Sequence, residues 1–259
     1  MDESSRVAWA FDLDGVLWTG RDPIQGSADA VAALVEGGHR VAFVTNNSFA
    51  TVAEQEAKLA SFGIAAQGRV ITSAMAGASL VEEGERVYVL GGPGIVEAVE
   101  ARGAVVVDGA GSGERADVVL VGLDRNLSYE RLSGAVLALH AGARFVATNT
   151  DSTYPSERGM LPGGGSIVAA VRYATGAEPV VAGKPHDAQA QLVRSVLGPD
   201  GVMIGDRPET DGRFASAMGY RFGLVLTGVT GRDDLPIEPE PSWVEDDVAR
   251  LVPRILAEL

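Results

Sequence analysis

Four short segments of the chain place carboxylates, hydroxyls, amides and a lysine where they could do chemistry. In Phe11-Asp12-Leu13-Asp14-Gly15-Val16-Leu17 two carboxylates stand two residues apart, directly after an apolar run. Carboxylates this close repel one another unless a cation lies between them or one is protonated. Magnesium takes oxygen ligands, commonly one or two carboxylates. The segment therefore reads as half of a magnesium site, with Gly15 permitting a tight turn. The third acidic ligand and the later Glu of a calcium-binding loop are absent. In Phe43-Val44-Thr45-Asn46-Asn47-Ser48 an apolar run ends in a hydroxyl and two amides, which suit an uncharged anion receptor or, equally, a turn and a helix N-cap. Ala182-Gly183-Lys184-Pro185-His186 fixes a cation between backbone-restricting neighbours, and the chain has only two lysines, Lys58 and Lys184. Lys58 reads as a surface residue of a helix. In Met203-Ile204-Gly205-Asp206-Arg207-Pro208-Glu209-Thr210-Asp211 another apolar run ends in a carboxylate. Asp206 can complete the metal site begun by Asp12 and Asp14, and Asp211 can support it from outside or orient Lys184.

Each segment alone has a bland reading as a turn, a cap or a solvated charge. Their joint position is what carries weight, and that position is set by the elements around them. Residues 7–11, 41–44, 202–204 and 222–226 read as short buried strands, and residues 27–36, 51–62 and 188–197 as helices between them. Strands alternating with helices imply a parallel sheet covered on both faces, and ligands of such sheets sit at the carboxyl ends of the strands. All four segments fall there. The middle of the chain repeats the rhythm, with strands at 87–90, 104–107, 118–121 and 145–147 and helices at 95–102, 129–141 and 167–175. The expected organisation is an α/β core from residues 1–83 and 180–259 with a second α/β domain, 84–179, inserted in it. Residues 233–242, rich in Pro and acid, read as a surface loop, and residues 243–259 as a closing amphipathic helix.

Composition narrows the function further. With 35 Asp+Glu against 21 Lys+Arg the formal net charge is −14, which disfavours a broad phosphate-facing surface for nucleic acid and repels anionic membranes. An anionic substrate must then be held locally, by cations, metal or backbone N–H groups. Cysteine is absent, so disulfides, thiolate catalysis and Cys-ligated metal sites are excluded. The first residues lack a signal-peptide pattern and no apolar run reaches the length of a membrane span, so a soluble, cytoplasmic protein is expected. Gly91-Gly92-Pro93-Gly94 lacks a full dinucleotide fingerprint and reads as a turn before a helix. Gly163–Gly165 reads as the flexible lead-in to another helix, and His39, His140 and His186 have no metal-ligand spacing.

The wording of the four segments is specific. FDLDGVLWTG, FVTNNS, GKP and GDRPETD, in this order, resemble motifs I to IV of the haloacid dehalogenase (HAD) superfamily. They are most similar to the class IIA subgroup of NagD and p-nitrophenyl phosphatase-like enzymes. Ile71-Thr72-Ser73-Ala74, Thr148-Asn149-Thr150-Asp151, Pro162-Gly163-Gly164-Gly165-Ser166 and Val225-Leu226-Thr227-Gly228-Val229 extend the resemblance over nearly the whole chain. Glu157-Arg158-Gly159-Met160-Leu161-Pro162 is most like actinobacterial members acting on glycerol 3-phosphate. The resemblance implies a Rossmann-like core with a parallel sheet and an inserted α/β cap of the C2 type between motifs II and III. In one respect the chain departs from it. Motif IV continues as Thr210-Asp211-Gly212-Arg213, with a charge at Arg213 where the family often has none.

The resemblance also implies a mechanism. Asp12 attacks phosphorus and forms an aspartyl-phosphate. Asp14 protonates the leaving oxygen and then deprotonates the hydrolytic water. Mg2+ is held by the Asp12 and Asp206 side chains and the Asp14 backbone carbonyl. Thr45, Asn46 and Lys184 bind phosphoryl oxygens, Asn47 supports that turn, Asp211 supports the site from outside, and Tyr154 stands where members contact substrate. The expected substrate is a small phosphorylated metabolite: glycerol 3-phosphate, phosphoglycolate, a sugar phosphate or a nucleoside monophosphate. Cap-mediated dimers among similar proteins make a homodimer one expectation for partners, with no nucleic acid and no membrane. A phosphotransferase or mutase, a signalling phosphoacceptor and a non-catalytic phosphate-ligand-binding protein compete with this reading. A signalling receiver domain would be about half as long and would lack a counterpart of Asp14.

Overall fold

A computed structural model describes residues 7–108, 115–156 and 158–258. Glu157, part of the segment compared with glycerol 3-phosphate-active proteins, lies outside them. The chain forms two compact units, Met1–Thr45 with Ala53–Ile71 and Lys184–Leu259, and Asn46–Val52 with Thr72–Gly183. Elements are numbered in chain order.

The first unit carries β1 (Ala8–Phe11), β2 (Trp18–Thr19), β3 (Asp22–Pro23), α1 (Ser27–Glu36), β4 (Arg40–Thr45), α2 (Val52–Ser61), β5 (Val70–Thr72), α7 (Asp187–Leu197), β13 (Gly201–Gly205), α8 (Arg213–Met218), β14 (Arg221–Val225), β15 (Trp243–Glu245) and α9 (Val248–Glu258). Its main sheet has the order β15-β14-β13-β1-β4-β5. All four residues of β1 are buried, as expected for an inner parallel strand covered on both faces, which must be apolar throughout rather than alternating. β1 runs parallel to both β13 and β4, with Phe11 level with Ile204 on one side and Phe43 on the other. That register brings the residues following these three to one edge of the sheet. On α7, Ala190, Val193 and Leu197 recur at helical spacing and pack with Ala8, Ala10, Met203 and Phe214. Each large side chain buried in this way contributes about 1.5–3 kcal/mol, so the strands that end at the site are anchored by the core.

Residues 243–259 correct the expected single helix. Trp243–Glu245 pairs with Gly223–Val225 as an edge strand. The helix starts only after Asp247, whose Oδ1 accepts from the Arg250 N–H at 2.9 Å as an N-cap.

The second unit carries α3 (Ser73–Ala78), β6 (Arg86–Leu90), α4 (Pro93–Ala101), β7 (Val105–Val107), β8 (Val118–Val121), α5 (Tyr129–His140), β9 (Arg144–Ala147), β10 (Thr153–Ser156), β11 (Gly159–Pro162), α6 (Gly164–Thr175) and β12 (Val180–Val181). Its five-stranded sheet, β12-β9-β8-β6-β7, is parallel throughout. Side chains of β6 alternate between two cores: Tyr88 and Leu90 pack with Val119, Val121 and Phe145, while Val87 and Val89 pack with Val118, Leu120 and Ile95.

This division differs from the sequence-based boundaries at residues 84 and 179. Ala74 and Ala78 of α3 are buried in the same core as Val87, Ile95 and Val99, so α3 goes with the second unit, as does the short segment Asn46–Val52. Residues 150–165, where the sequence pattern indicates no strand, contain the β10–β11 hairpin, with Tyr154 opposite Leu161. Its turn is closed by the Ser156 hydroxyl, which donates to the Gly159 carbonyl at 2.7 Å and accepts from the Arg158 N–H at 3.1 Å. Among the described residues no helix is long and apolar enough to cross a membrane.

Candidate active site

The carboxyl edge of the first unit's sheet collects the charged residues. The Asp12 N–H donates to the Ile204 carbonyl at 2.8 Å, continuing the β1–β13 ladder by one residue. This fixes Asp12 beside Asp206, which follows β13. Lys184 is buried, and its Nζ donates to Asp12 Oδ1 at 2.6 Å and to Asp211 Oδ1 at 2.7 Å. Asp211 is held in turn: its Oδ2 accepts from the backbone N–H groups of Asp206 at 3.2 Å and Arg207 at 3.1 Å. A wide helical turn over Pro208–Gly212 makes this possible. In it the Arg207 carbonyl accepts from the amides of Thr210, Asp211 and Gly212, returning the chain so that Asp211 faces Asp206. Arg213, the departure from the motif, opens α8 and is exposed, in contrast to the buried Asp206 and Asp211.

Burial pulls the Lys184 ammonium down, but the Asp12 and Asp211 carboxylates outweigh it and hold the lysine above its usual range. Burial also drives Asp12 well above the usual carboxylate range, with Lys184 opposing the shift. Asp206 is pushed up to about 6, by burial first and then by the Asp211 charge, against the stabilising Val229 N–H.

Carboxylate oxygens of Asp12, Asp206 and Asp211 lie within 4.8 Å of one another. Asp206 Oδ2 accepts from the Val229 N–H at 2.6 Å, whereas its Oδ1 is buried with no hydrogen-bond partner among the described residues. A buried carboxylate oxygen left without a donor is costly, and a hard, oxygen-seeking cation would satisfy it. The donor set therefore fits magnesium. Two glycines make room for Asp206. A Cβ on Gly15, whose φ is +84°, would lie 2.6 Å from Asp206 Oδ2, and one on Gly228 would run into the same oxygen.

Thr45 is buried at the end of β4. Its carbonyl is fixed by Gln189, whose Nε2 donates to it at 3.2 Å and to the Ile71 carbonyl at 3.4 Å. Gln189 Oε1 accepts from the Lys184 N–H at 2.8 Å. One buried side chain thus ties the lysine loop to two neighbouring strand ends. Nothing local in the sequence singles Gln189 out. Asp14 lies in the turn after β1, exposed, with Oδ1 accepting from the Trp18 indole N–H at 2.7 Å. Lys58 is a correction: it is half-buried, with Nζ 4.0 Å from the centre of the Trp18 ring. Burial lowers its pKa and the Asp14 charge opposes that.

Asn46, Asn47 and Tyr154 belong to the second unit. Asn46 Nδ2 donates to the Asp151 carboxylate at 3.1 and 3.4 Å, and the Asn46 carbonyl accepts from Ser73 Oγ and Asn149 Nδ2, each at 2.8 Å. Asn47 Oδ1 accepts from the N–H groups of Phe49 at 3.0 Å and Ala50 at 3.3 Å, shaping the turn. Tyr154 sits half-buried on β10, with the Arg125 guanidinium 5.9 Å from its ring centre. Asp151 was visible in sequence only as part of a family segment, and Arg125 gave no signal. Gly165 serves close approach, since a Cβ there would run into the Thr150 carbonyl.

A family model described as haloacid dehalogenase-like hydrolase matches residues 9–105, and a HAD-hydrolase-like model matches residues 181–251. A 5'-nucleotidase of Bacillus subtilis is 37% identical over 95% of this chain and 98% of its own. The crystal structure of a glycerol phosphate phosphatase from Mycobacterium tuberculosis in complex with magnesium is 36% identical, with a TM-score of 0.88, over 96% of this chain and 76% of that one. A p-nitrophenyl phosphatase from Archaeoglobus fulgidus is 30% identical, with a TM-score of 0.88, over 96% of this chain and 99% of that one. The chain belongs to the haloacid dehalogenase-like hydrolases. Within them it is a phosphatase, a hydrolase of phosphoric monoesters.

Proposed function

We propose that the chain hydrolyses a small phosphomonoester through a phosphorylated Asp12, with magnesium bound by the Asp12 and Asp206 side chains and the Asp14 backbone carbonyl. The observation that supports this most is Lys184, held between Asp12 and Asp211, carboxylates clustered with Asp206, whose buried Oδ1 has no donor among the described residues. When bound, the metal supplies positive charge that offsets repulsion between carboxylate and phosphoryl oxygens.

The remaining work falls to side chains of the chain itself. An Asp12 oxygen forms a bond to phosphorus as the ester P–O bond breaks. Asp14 donates its proton to the departing alkoxide oxygen. Now a carboxylate, Asp14 takes a proton from water as that water's oxygen bonds to phosphorus. The Asp12–phosphorus bond breaks, releasing inorganic phosphate and restoring both carboxyl groups. Lys184 and Thr45 bind phosphoryl oxygens and stabilise charge as the loose phosphoryl group passes between oxygens. Asp211 positions Lys184.

The second unit is proposed as the substrate-selecting cap, with Asn46 proposed to bind phosphoryl oxygens and Tyr154 to contact the substrate. The named relatives act on a nucleotide, a glycerol phosphate and a nitrophenyl ester, which supports the class and leaves the choice of ester to that unit. Phosphate release across glycerol 3-phosphate, phosphoglycolate, sugar phosphates and nucleoside monophosphates, with and without magnesium, tests the reading. Magnesium-dependent release from at least one ester that Asp12→Asn abolishes would support it. No release from any ester by folded protein would refute it.

A further inference from the structure

The second unit has a cavity of its own, of about 610 Å³, within the usual range for small-molecule sites. Its place in the sheet is specific. β7 lies on one side of β6 and β8 on the other, so the connection leaving β6 toward β7 and the one leaving β8 toward β9 part in opposite directions between β6 and β8. In open parallel α/β sheets the crevice at such a switch point, beyond the strands' carboxyl ends, is where ligands bind. The cavity is lined by Gly91 and Gly92 after β6, by Asp108 directly after β7, and by Asp124, Glu130 and Arg131. The unit β6–Gly91-Gly92-Pro93-Gly94–α4–β7–Asp108 is a βαβ unit with a glycine turn after its first strand and an exposed carboxylate at the end of its second. In dinucleotide-binding βαβ units a carboxylate at that position accepts a hydrogen bond from the ribose 2'-OH, and its two oxygens can serve both hydroxyls of a ribose diol.

The same surroundings disfavour a phosphate. The N–H of Gly94, at the start of α4, already donates to the Phe49 carbonyl at 2.9 Å. A Cβ on Gly94 would run into the Ala50 carbonyl, so the chain itself lies where a phosphate would approach this helix end. Arg131, the one cation lining the cavity among the described residues, donates from Nε to Asp124 at 2.8 Å and from one terminal nitrogen to the carbonyls of Val89 at 3.2 Å and Gly91 at 3.4 Å. The remaining charges, on Asp108 and Glu130, are negative. The lining also includes Leu137, a large apolar side chain left 55% exposed, which suits a base.

We propose that this cavity binds a nucleoside lacking phosphate, with Asp108 accepting from its ribose diol. Adenosine, guanosine, cytidine and uridine are titrated calorimetrically into the full chain. At least one is expected to bind saturably at one site per chain. Asp108→Asn should weaken that binding about tenfold or more, the loss expected for a hydrogen bond to a charged acceptor. The 2',3'-dideoxy form should bind the native chain as weakly. Leu137→Trp, which fills the cavity from a solvent-facing position, should also abolish binding, whereas Asp12→Asn should leave it unchanged, separating this site from the phosphatase centre. The proposal is overturned by the absence of saturable binding, by binding indifferent to Asp108→Asn and to the missing hydroxyls, or by competition from inorganic phosphate.

Discussion

Asp14 and Trp18 are joined across the turn after β1 by an indole N–H donating to Asp14 Oδ1 at 2.7 Å. The same turn is closed by the Gly15 N–H donating to the Trp18 carbonyl at 2.7 Å. Trp18 itself is buried against Phe62, with ring centres 5.6 Å apart. An exposed acid on a tight turn would otherwise sample many rotamers, and a fixed indole donor selects one.

Removing this donor should therefore cost the proton-transfer step. With an alkyl phosphate, whose leaving oxygen needs a proton, Trp18→Phe should lower kcat about tenfold, the worth of a hydrogen bond to a charged group. Asp14→Asn should lower it by about 10²–10⁴. With p-nitrophenyl phosphate, whose leaving group departs as a stable anion, Trp18→Phe should have much less effect on the first step. Steady-state kinetics on both esters checks this. Equal losses in kcat/KM, which reports the steps up to departure of the leaving group and not the later hydrolysis that also uses Asp14, would place Trp18 in packing alone.

Lys184 is buried between two carboxylates. Asp211→Ala takes one carboxylate away from the ammonium and also removes the acceptor of the Asp206 and Arg207 amides. Breaking a buried ion pair from one side destabilises by about 3–5 kcal/mol. Urea denaturation of metal-free protein should show a loss of that order. A loss under about 1 kcal/mol, typical of exposed pairs, would contradict the arrangement.

The sequence made the strand-end residues legible because their physics is local. Asp12, Thr45 and Asp206 each follow an apolar run that only a buried parallel strand explains, and each emerges at the same edge. Residues whose roles depend on tertiary approach were not legible. Gln189 looks like any helix glutamine until it reaches the carbonyls of Thr45 and Ile71 from a segment more than a hundred residues away in the chain. Lys58 looked like a solvated helix charge because nothing local places it over Trp18. The β10–β11 hairpin carries no strand signal in the sequence because its strands are short and its pattern lacks alternation, and its closure rests on Ser156 and the positive φ of Gly159.

Asp206 gives a pH dependence whose sign can be worked out. Its folded-state pKa is raised from 3.8 to about 6, so its favourable contribution to the metal-free fold is present below the unfolded value and lost as pH rises through about 6. Above that pH the ionised carboxylate has the Val229 N–H on Oδ2 but no donor among the described residues on Oδ1, which a bound cation would satisfy. The rise in Tm on adding magnesium should therefore grow from about pH 5 to about pH 7.5, and Asp206→Asn should flatten the trend. A magnesium shift independent of pH over that range would contradict this role for Asp206.

Gly228→Ala puts a methyl group where Asp206 Oδ2 lies. The neighbouring Val229 N–H, which donates to that oxygen, is displaced with it. Magnesium titration followed by activity should show a requirement raised about 10–100-fold, the usual cost of disturbing the support of a metal ligand. An unchanged requirement would mean that Asp206 can shift without consequence.

The most direct test of the central role given to Asp12 is an acid-quenched rapid-mixing experiment with a phosphate-radiolabelled ester and magnesium. The expected result is transient label on the protein, mapped to the peptide containing Asp12, that forms before free phosphate and is absent in Asp12→Asn. Release of phosphate by the native chain with no labelled protein at any time, together with turnover retained in Asp12→Asn, would contradict it.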